Sequence, residues 1–408
     1  MTRKILNPVT VATIIVIAYM TLPILAVVIS TYVTTYAYML LTVFLAGFII
    51  LTGGFKRLNT IIRIFAPFCI YLACTFFKRG NSTLLWGYQS LLFLLPALIG
   101  FYYICYRPES VSIFSKFLIV ALFITSVTTI IGLIQFPNAS RILATIASSD
   151  NAEALKYQWH NIGGYDFIYI CVLLYPMLIL AHKLGRIKRI TFFIVFAILL
   201  ALIIISEYTI ALLLFIISSI LYFSSKRLTA QQLLVLGIAI FILLFVFWDY
   251  FKEFLLWLAD IISSDSVSGR LTALAGGVEG LENFEDNRLE LYTMSLSAFF
   301  KSPLFGQLFS TTSYAGGHSF ILDSLASYGI LGGTTLFFIY RSIYKFFFKP
   351  FYNEAGFGFV LWSFVQAIIL SFVNTGMWIN VLALFIPIIL YLFYNVGDEE
   401  NYESSLDS

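Results

Sequence analysis

Apolar runs of about 20 residues follow one another along almost the whole of this sequence, and each is long enough to cross a bilayer as a helix. Hydrophobic residues make up 60% of the 408 positions and charged residues 11%, with a mean hydropathy of +0.94. So few charges cannot cover the surface of a soluble globular domain. The runs are continuous, not alternating, which points to helices and away from a β-barrel. The expected fold is an all-α polytopic membrane protein, with residues 1–408 forming one integral membrane domain. Spans fall near 9–29, 33–52, 61–77, 84–105, 112–136, 163–181, 190–206, 208–224, 231–249, 319–340, 356–374 and 378–395, about twelve helices in all. The run from Ile190 to Phe223 is too long for one span and is divided at Ser206 and Glu207, where a charge would otherwise sit in lipid. Arg3 and Lys4 precede the first span and no small-residue cleavage site follows it, so it reads as a retained helix.

Charge placement orients this map. With the N-terminus inside, 16 of the 24 lysines and arginines fall on the inner side, as the positive-inside rule requires. Half of the remainder (Lys252, Arg270, Arg288 and Lys301) lie in one long polar segment. Both termini are then cytoplasmic, and residues 396–408 form a short acidic cytoplasmic tail. The net charge of +3 is too small to argue for nucleic acid as a partner. The four cysteines (Cys69, Cys74, Cys105 and Cys171) all lie in apolar runs and read as small buried hydrophobes.

The long polar segment, residues 251–318, is the expected large external loop before the third-last helix. It holds eight acidic residues, four basic ones and one histidine. Two readings stand for its arginines. Arg270 can pair with Asp265 or Glu279, and Arg288 with Glu285 or Glu290, as surface ion pairs of little energetic weight. Alternatively both clamp an anionic lipid head group, because the planar guanidinium fork matches phosphate oxygens. Residues 287–300 repeat Leu289, Tyr292, Leu296 and Phe299 at helical spacing, which predicts a short amphipathic helix with Arg288 in its first turn. Asp286 or Asn287 would cap it, and Lys301, Ser302 and Pro303 would end it.

The loop re-enters the membrane through Gly316, Gly317, His318 and Ser319. The glycines permit tight backbone geometry and close approach of a ligand. Ser319 is the expected N-cap of the next helix, with Asp323 one turn on along the same face. A histidine beside a helix N-terminus tends to stay neutral, as a general base must be. The alternative is an interfacial histidine that only caps the bundle. Within the spans, Gln135, Asp166, Glu207, Gln366, Asn374 and Asn380 are polar, and carboxylates there are candidates for function.

These residues resemble a known pattern. An arginine early in a large external loop is followed by Arg288, Ala298, Pro303 and Gly306. Then come Gly316, Gly317, His318, Ser319 and Asp323, and after them Tyr328, Gly329 and Gly332. This resembles the Wzy-type bacterial O-antigen and capsular polysaccharide polymerases, of the O-antigen polymerase and ligase superfamily. The helix start at Gly163, Gly164, Tyr165, Asp166 and Tyr169 is similar to one seen in the same polymerases. The layout agrees over most of the chain, the motifs over about 80 residues. Two departures stand out. Ser206, Glu207 and Tyr208 occupy the place of a Ser-Arg-Gly-like element, and His318 is followed by Ser319 where ligases more often carry asparagine.

The resemblance implies a metal-independent, cofactor-free glycosyltransferase in a bacterial cytoplasmic (inner) membrane. Its substrate would be an undecaprenyl-diphosphate-linked oligosaccharide, transferred onto a second lipid-linked repeat unit at the outer face. It implies His318 as the catalytic base, and Arg270, Arg288, Asp323, Asp166 and Tyr165 as substrate-binding residues. Membrane lipid, a flippase and a chain-length regulator are the implied partners. The rival readings are a ligase using another acceptor and a lipid-linked oligosaccharide flippase. The scarcity of charges in mid-span argues against transport.

Overall fold

The computed structural model describes residues 7–32, 35–53, 58–78, 93–145, 152–224, 229–261, 268, 272, 275, 282–310, 315–376 and 378–394. The principal elements among them are helical. Four open the chain: α1 (Pro8–Thr21), α2 (Pro23–Tyr32), α3 (Thr35–Gly53) and α4 (Leu58–Phe77). Then come α5 (Leu95–Tyr106), the long α6 (Val111–Gln135), and the short α7 (Ala139–Thr145) and α8 (Ala152–Trp159). They are followed by α9 (Tyr165–Lys183), α10 (Arg189–Ser206), α11 (Thr209–Ser224), α12 (Ala230–Val246) and α13 (Trp248–Ile261). The last four are α14 (Glu282–Lys301), α15 (Phe320–Ile343), α16 (Phe357–Val373) and α17 (Ile386–Tyr394).

Helix is found in each of the twelve apolar stretches, but the helices are not uniform. Among the described residues five are long and apolar enough to cross a membrane, or six if the bent pair α1 and α2 is one span. Six further apolar helices have 10–17 residues. The expected straight span over 9–29 is a departure. Its two halves meet at 117°, because Leu22 is extended and Pro23 opens α2 without an N–H to continue the ladder. The division at Ser206 and Glu207 is present: α10 ends there with Glu207 left-handed at φ 62°. The polar segment also begins differently from expectation, since α13 carries helix on to Ile261.

The core runs through α9, α16 and the end of the chain. In α9, 78% of the apolar stretch is buried, against 28% in α10. Exposed Ile113, Val120, Ile124 and Ile131 recur at helical spacing along α6, a face suited to lipid. Between helices, polar side chains supply the specific contacts. Ser218 on α11 accepts from Trp362 Nε1 (3.0 Å) and Gln366 Nε2 (2.9 Å) of α16. Tyr340 and Ser371 hydroxyls meet at 2.6 Å between α15 and α16. Such bonds steer helix association where lipid offers no hydrophobic drive. The four cysteines are free thiols; Cys74 and Cys171 are buried, but Cys69 is exposed and Cys105 half-buried, so not all four are core residues.

Candidate active site

The second half of α14, the turn from Ser302 to Ser310, the loop 315–319 and the start of α15 pack together. Helix α14 is longer than the sequence suggests. It starts at Glu282, so Asp286 and Asn287 lie inside it and do not cap it, and Arg288 falls in its second turn. Glu282, Glu285 and Asp286 place negative charge in the first turn and a half, where the helix dipole favours it. The side chain of Arg288 and all of Arg270 lie outside the described residues.

Helix α15 begins as expected. Ser319 is its N-cap, with Oγ accepting from Leu322 N at 3.1 Å. Asp323 completes the reciprocal bond, its Oδ2 accepting from Ser319 N at 3.1 Å. This pairing of a capping hydroxyl with an acid in the first turn satisfies amides that the helix leaves open. Asp323 also reaches outside its own helix. Its Oδ1 accepts from Ser295 Oγ of α14 at 2.6 Å and from Gly317 N at 3.3 Å. Ser295 Oγ in turn accepts from Gly316 N at 2.9 Å.

The loop bearing His318 is thereby held on both sides. Its backbone lies so close to α14 that a side chain at position 316 would run into the Leu291 carbonyl. Gly317 takes the left-handed conformation, φ +78°. His318 is half-buried on this loop. Phe320 N donates to Asn374 O at 3.0 Å, and Tyr292 Oη donates to Val373 O at 2.9 Å, tying the assembly to the end of α16.

Six residues beyond Asp323, α15 breaks at Gly329 (φ 63°, ψ −152°). The turn after α14 fills the break: Ile330 N donates to Pro303 O at 2.7 Å and Gln307 N to Ala326 O at 3.0 Å. Any side chain on Gly329 would collide with the Pro303 carbonyl. The other flank of α15 meets α4 along a seam of hydroxyls. Tyr71 and Ser324 lie 2.7 Å apart, Tyr328 Oη donates to Thr75 Oγ1 at 3.2 Å, and Lys78 Nζ donates to Ser327 Oγ at 3.1 Å. Lys78 is 8% exposed. Burial pushes its amine below the ordinary lysine value, and the neighbouring Asp323 carboxylate pulls it partly back.

Tyr165 and Asp166 belong to a second layer. Asp166 is exposed in the first turn of α9 and within electrostatic reach of Tyr19. Tyr165 packs on Tyr169 (centroids 4.6 Å) and edge-on to Tyr208 (5.3 Å), and Tyr169 packs on Trp378 (5.5 Å). The segment from Asn374 to Trp378 joins this layer to the His318 loop, Asn374 touching Phe320 and Trp378 touching Tyr169. Asp323 and Ser295 thus bind the backbone on both sides of His318, while Tyr165 lies in a separate aromatic cluster and Asp166 faces Tyr19.

Sequence reasoning missed Ser295 and Lys78. Ser295 carries no signal, being one serine on an amphipathic helix. Lys78 carried a faint one: it stands on the outer side of the map, against the trend of the other cations. Comparison with known proteins finds no matching family model and no matching curated protein.

Proposed function

We propose that this chain is a glycosyltransferase of the polysaccharide polymerase type, working at the outer face of a bacterial cytoplasmic membrane. On this reading the chain crosses twelve times with both termini inside, and residues 251–318 stand outside. The observation that carries it is the buttressed loop: Ser295 and Asp323 hold the backbone on both sides of His318. A base must be positioned before it can act, and a hydrogen-bonded loop supplies that positioning.

The donor is a glycan on a lipid diphosphate and the acceptor is a sugar hydroxyl of a second lipid-linked unit. The acceptor oxygen forms a bond to the anomeric carbon while its proton passes to His318. The bond from that carbon to the diphosphate breaks, and the electron pair leaves with the phosphate oxygen. Arg270 and Arg288 stabilise the charge that develops there. Tyr165, half-buried at the start of α9, offers an aromatic face on which a sugar ring stacks.

Removing a general base costs about 10²- to 10⁴-fold in rate. His318→Ala is therefore expected to abolish the glycan ladder in cells that carry the lipid-linked substrate, while membrane insertion stays normal. A ladder of ordinary length from the inserted variant ends this reading.

A further inference from the structure

A lysine amine is a strongly hydrated point charge with three donors, and burying one without an anion is costly. Lys78 is the first residue past α4, its amide donating to Cys74 O at 3.0 Å. Its side chain is buried beside Ser327, which is also 8% exposed. Among the described residues its side-chain hydrogen bond goes to the neutral Ser327 hydroxyl at 3.1 Å. Asp323 lies one turn before Ser327, but its oxygens take bonds from Ser295, Gly317 and Ser319. The other groups along this seam (Tyr71, Thr75, Ser324 and Tyr328) are hydroxyls bonded to one another. A cation has been buried within electrostatic reach of Asp323, whose carboxylate holds the His318 loop, and hydrogen-bonded to a hydroxyl.

We propose that Lys78 and Ser327 form an anion-binding subsite that holds a phosphate oxygen of a lipid diphosphate beside the His318 loop. The proposal rests on the function proposed above and adds a residue that touches the leaving group. An ammonium held away from water attracts a phosphate far more strongly than one in water. The amine stays protonated throughout the transfer. It neutralises charge on the departing diphosphate, while the acceptor proton goes to His318. A depressed amine agrees with this, since a bound phosphate would restore the charge that burial disfavours.

The test uses the full-length protein in detergent with farnesyl diphosphate as probe. Farnesol and inorganic pyrophosphate are run beside it, and phosphatidylglycerol vesicles as competitor. Lys78→Met is expected to weaken farnesyl diphosphate roughly 10- to 100-fold, the loss for one charge-assisted hydrogen bond. Farnesol binding should not change. Lys78→Arg should keep most of the affinity, and Ser327→Ala should lose a smaller part. If Lys78→Met fails to fold, Lys78→Gln, which keeps a donor toward Ser327, takes its place in the same assay.

Unchanged affinity for farnesyl diphosphate in a folded variant overturns the proposal. So does pyrophosphate binding as tightly as farnesyl diphosphate, which marks a free phosphate site. Equal competition by phosphatidylglycerol overturns it too, in favour of a phospholipid site. The two readings fail separately. Weakened binding in Lys78→Met with an ordinary glycan ladder from His318→Ala keeps the subsite and removes the polymerase. A ladder lost in His318→Ala with normal binding in Lys78→Met does the reverse.

Discussion

Ser295 and Asp323, 28 residues apart in the chain, are joined by a 2.6 Å hydrogen bond from the serine hydroxyl to the carboxylate. The same hydroxyl takes the amide of Gly316, and the same carboxylate takes those of Gly317 and Ser319. A single pair of side chains therefore sets where the backbone on either side of His318 runs.

Breaking this pair should release the loop without melting the bundle. Ser295→Ala leaves the Gly316 amide without its partner and is expected to cost about 1–3 kcal/mol locally. Asp323→Asn keeps the size but weakens three accepted bonds. Both variants should insert normally and lose most of the glycan ladder, with His318 still present. Faster amide exchange at 315–319 is the direct measurement, and unchanged exchange in Ser295→Ala would count against the coupling.

Gly329 should tolerate no side chain. Its positive φ and its contact with the Pro303 carbonyl leave no room for a Cβ. Gly329→Ala is expected to destabilise by about 1–3 kcal/mol. Unfolding in detergent reads this as a lowered midpoint, and an unaltered midpoint would mean that α15 straightens at no cost.

Glu207 should be replaceable with a gain in stability. A non-glycine residue at φ 62° costs about 1–2 kcal/mol relative to the right-handed region. Glu207→Gly removes that cost and keeps the break between α10 and α11, so the unfolding midpoint should rise. If the ladder is lost in this more stable variant, the carboxylate acts in function and not in the turn.

Ser218 serves two donors of α16 at once, Trp362 Nε1 and Gln366 Nε2. Ser218→Ala removes a shared acceptor, and bonds between membrane helices average about 0.6 kcal/mol each. A loss of roughly 1 kcal/mol is expected. The double variant with Gln366→Leu should lose less than the two single losses added together.

Lys78 should leave a mark on the pH dependence of stability. Its folded value lies below the ordinary 10.5, with burial the cause and Asp323 opposing it. Through the window just under 10.5 the unfolded chain holds the proton that the folded chain has released. Stability then rises with pH across that window and is flat below the folded value. Lys78→Met should abolish the rise, and its midpoint at neutral pH should match or exceed that of the native protein. Parallel curves for the two proteins would show that the amine is not what titrates.

Much of the architecture was legible in the residues. Helix in each apolar stretch, the break at Ser206 and Glu207, and the Ser319 cap with Asp323 one turn on all follow from local rules. The amphipathic helix over 287–300 was legible too, but not its start at Glu282, because helix ends depend on small differences between neighbouring residues. The 117° bend at Leu22 and Pro23 was hidden inside a run of uniform hydropathy.

What the amino-acid sequence determined by itself is the set of apolar helices and their caps, since spacing and capping involve residues three or four apart. Only the tertiary structure decided that Ser295 meets Asp323, that the Pro303 turn fills the break at Gly329, and that Lys78 is buried against Ser327, 249 residues away. Those pairings arise from how helices pack, and every apolar face looks alike until the few polar groups between them find partners.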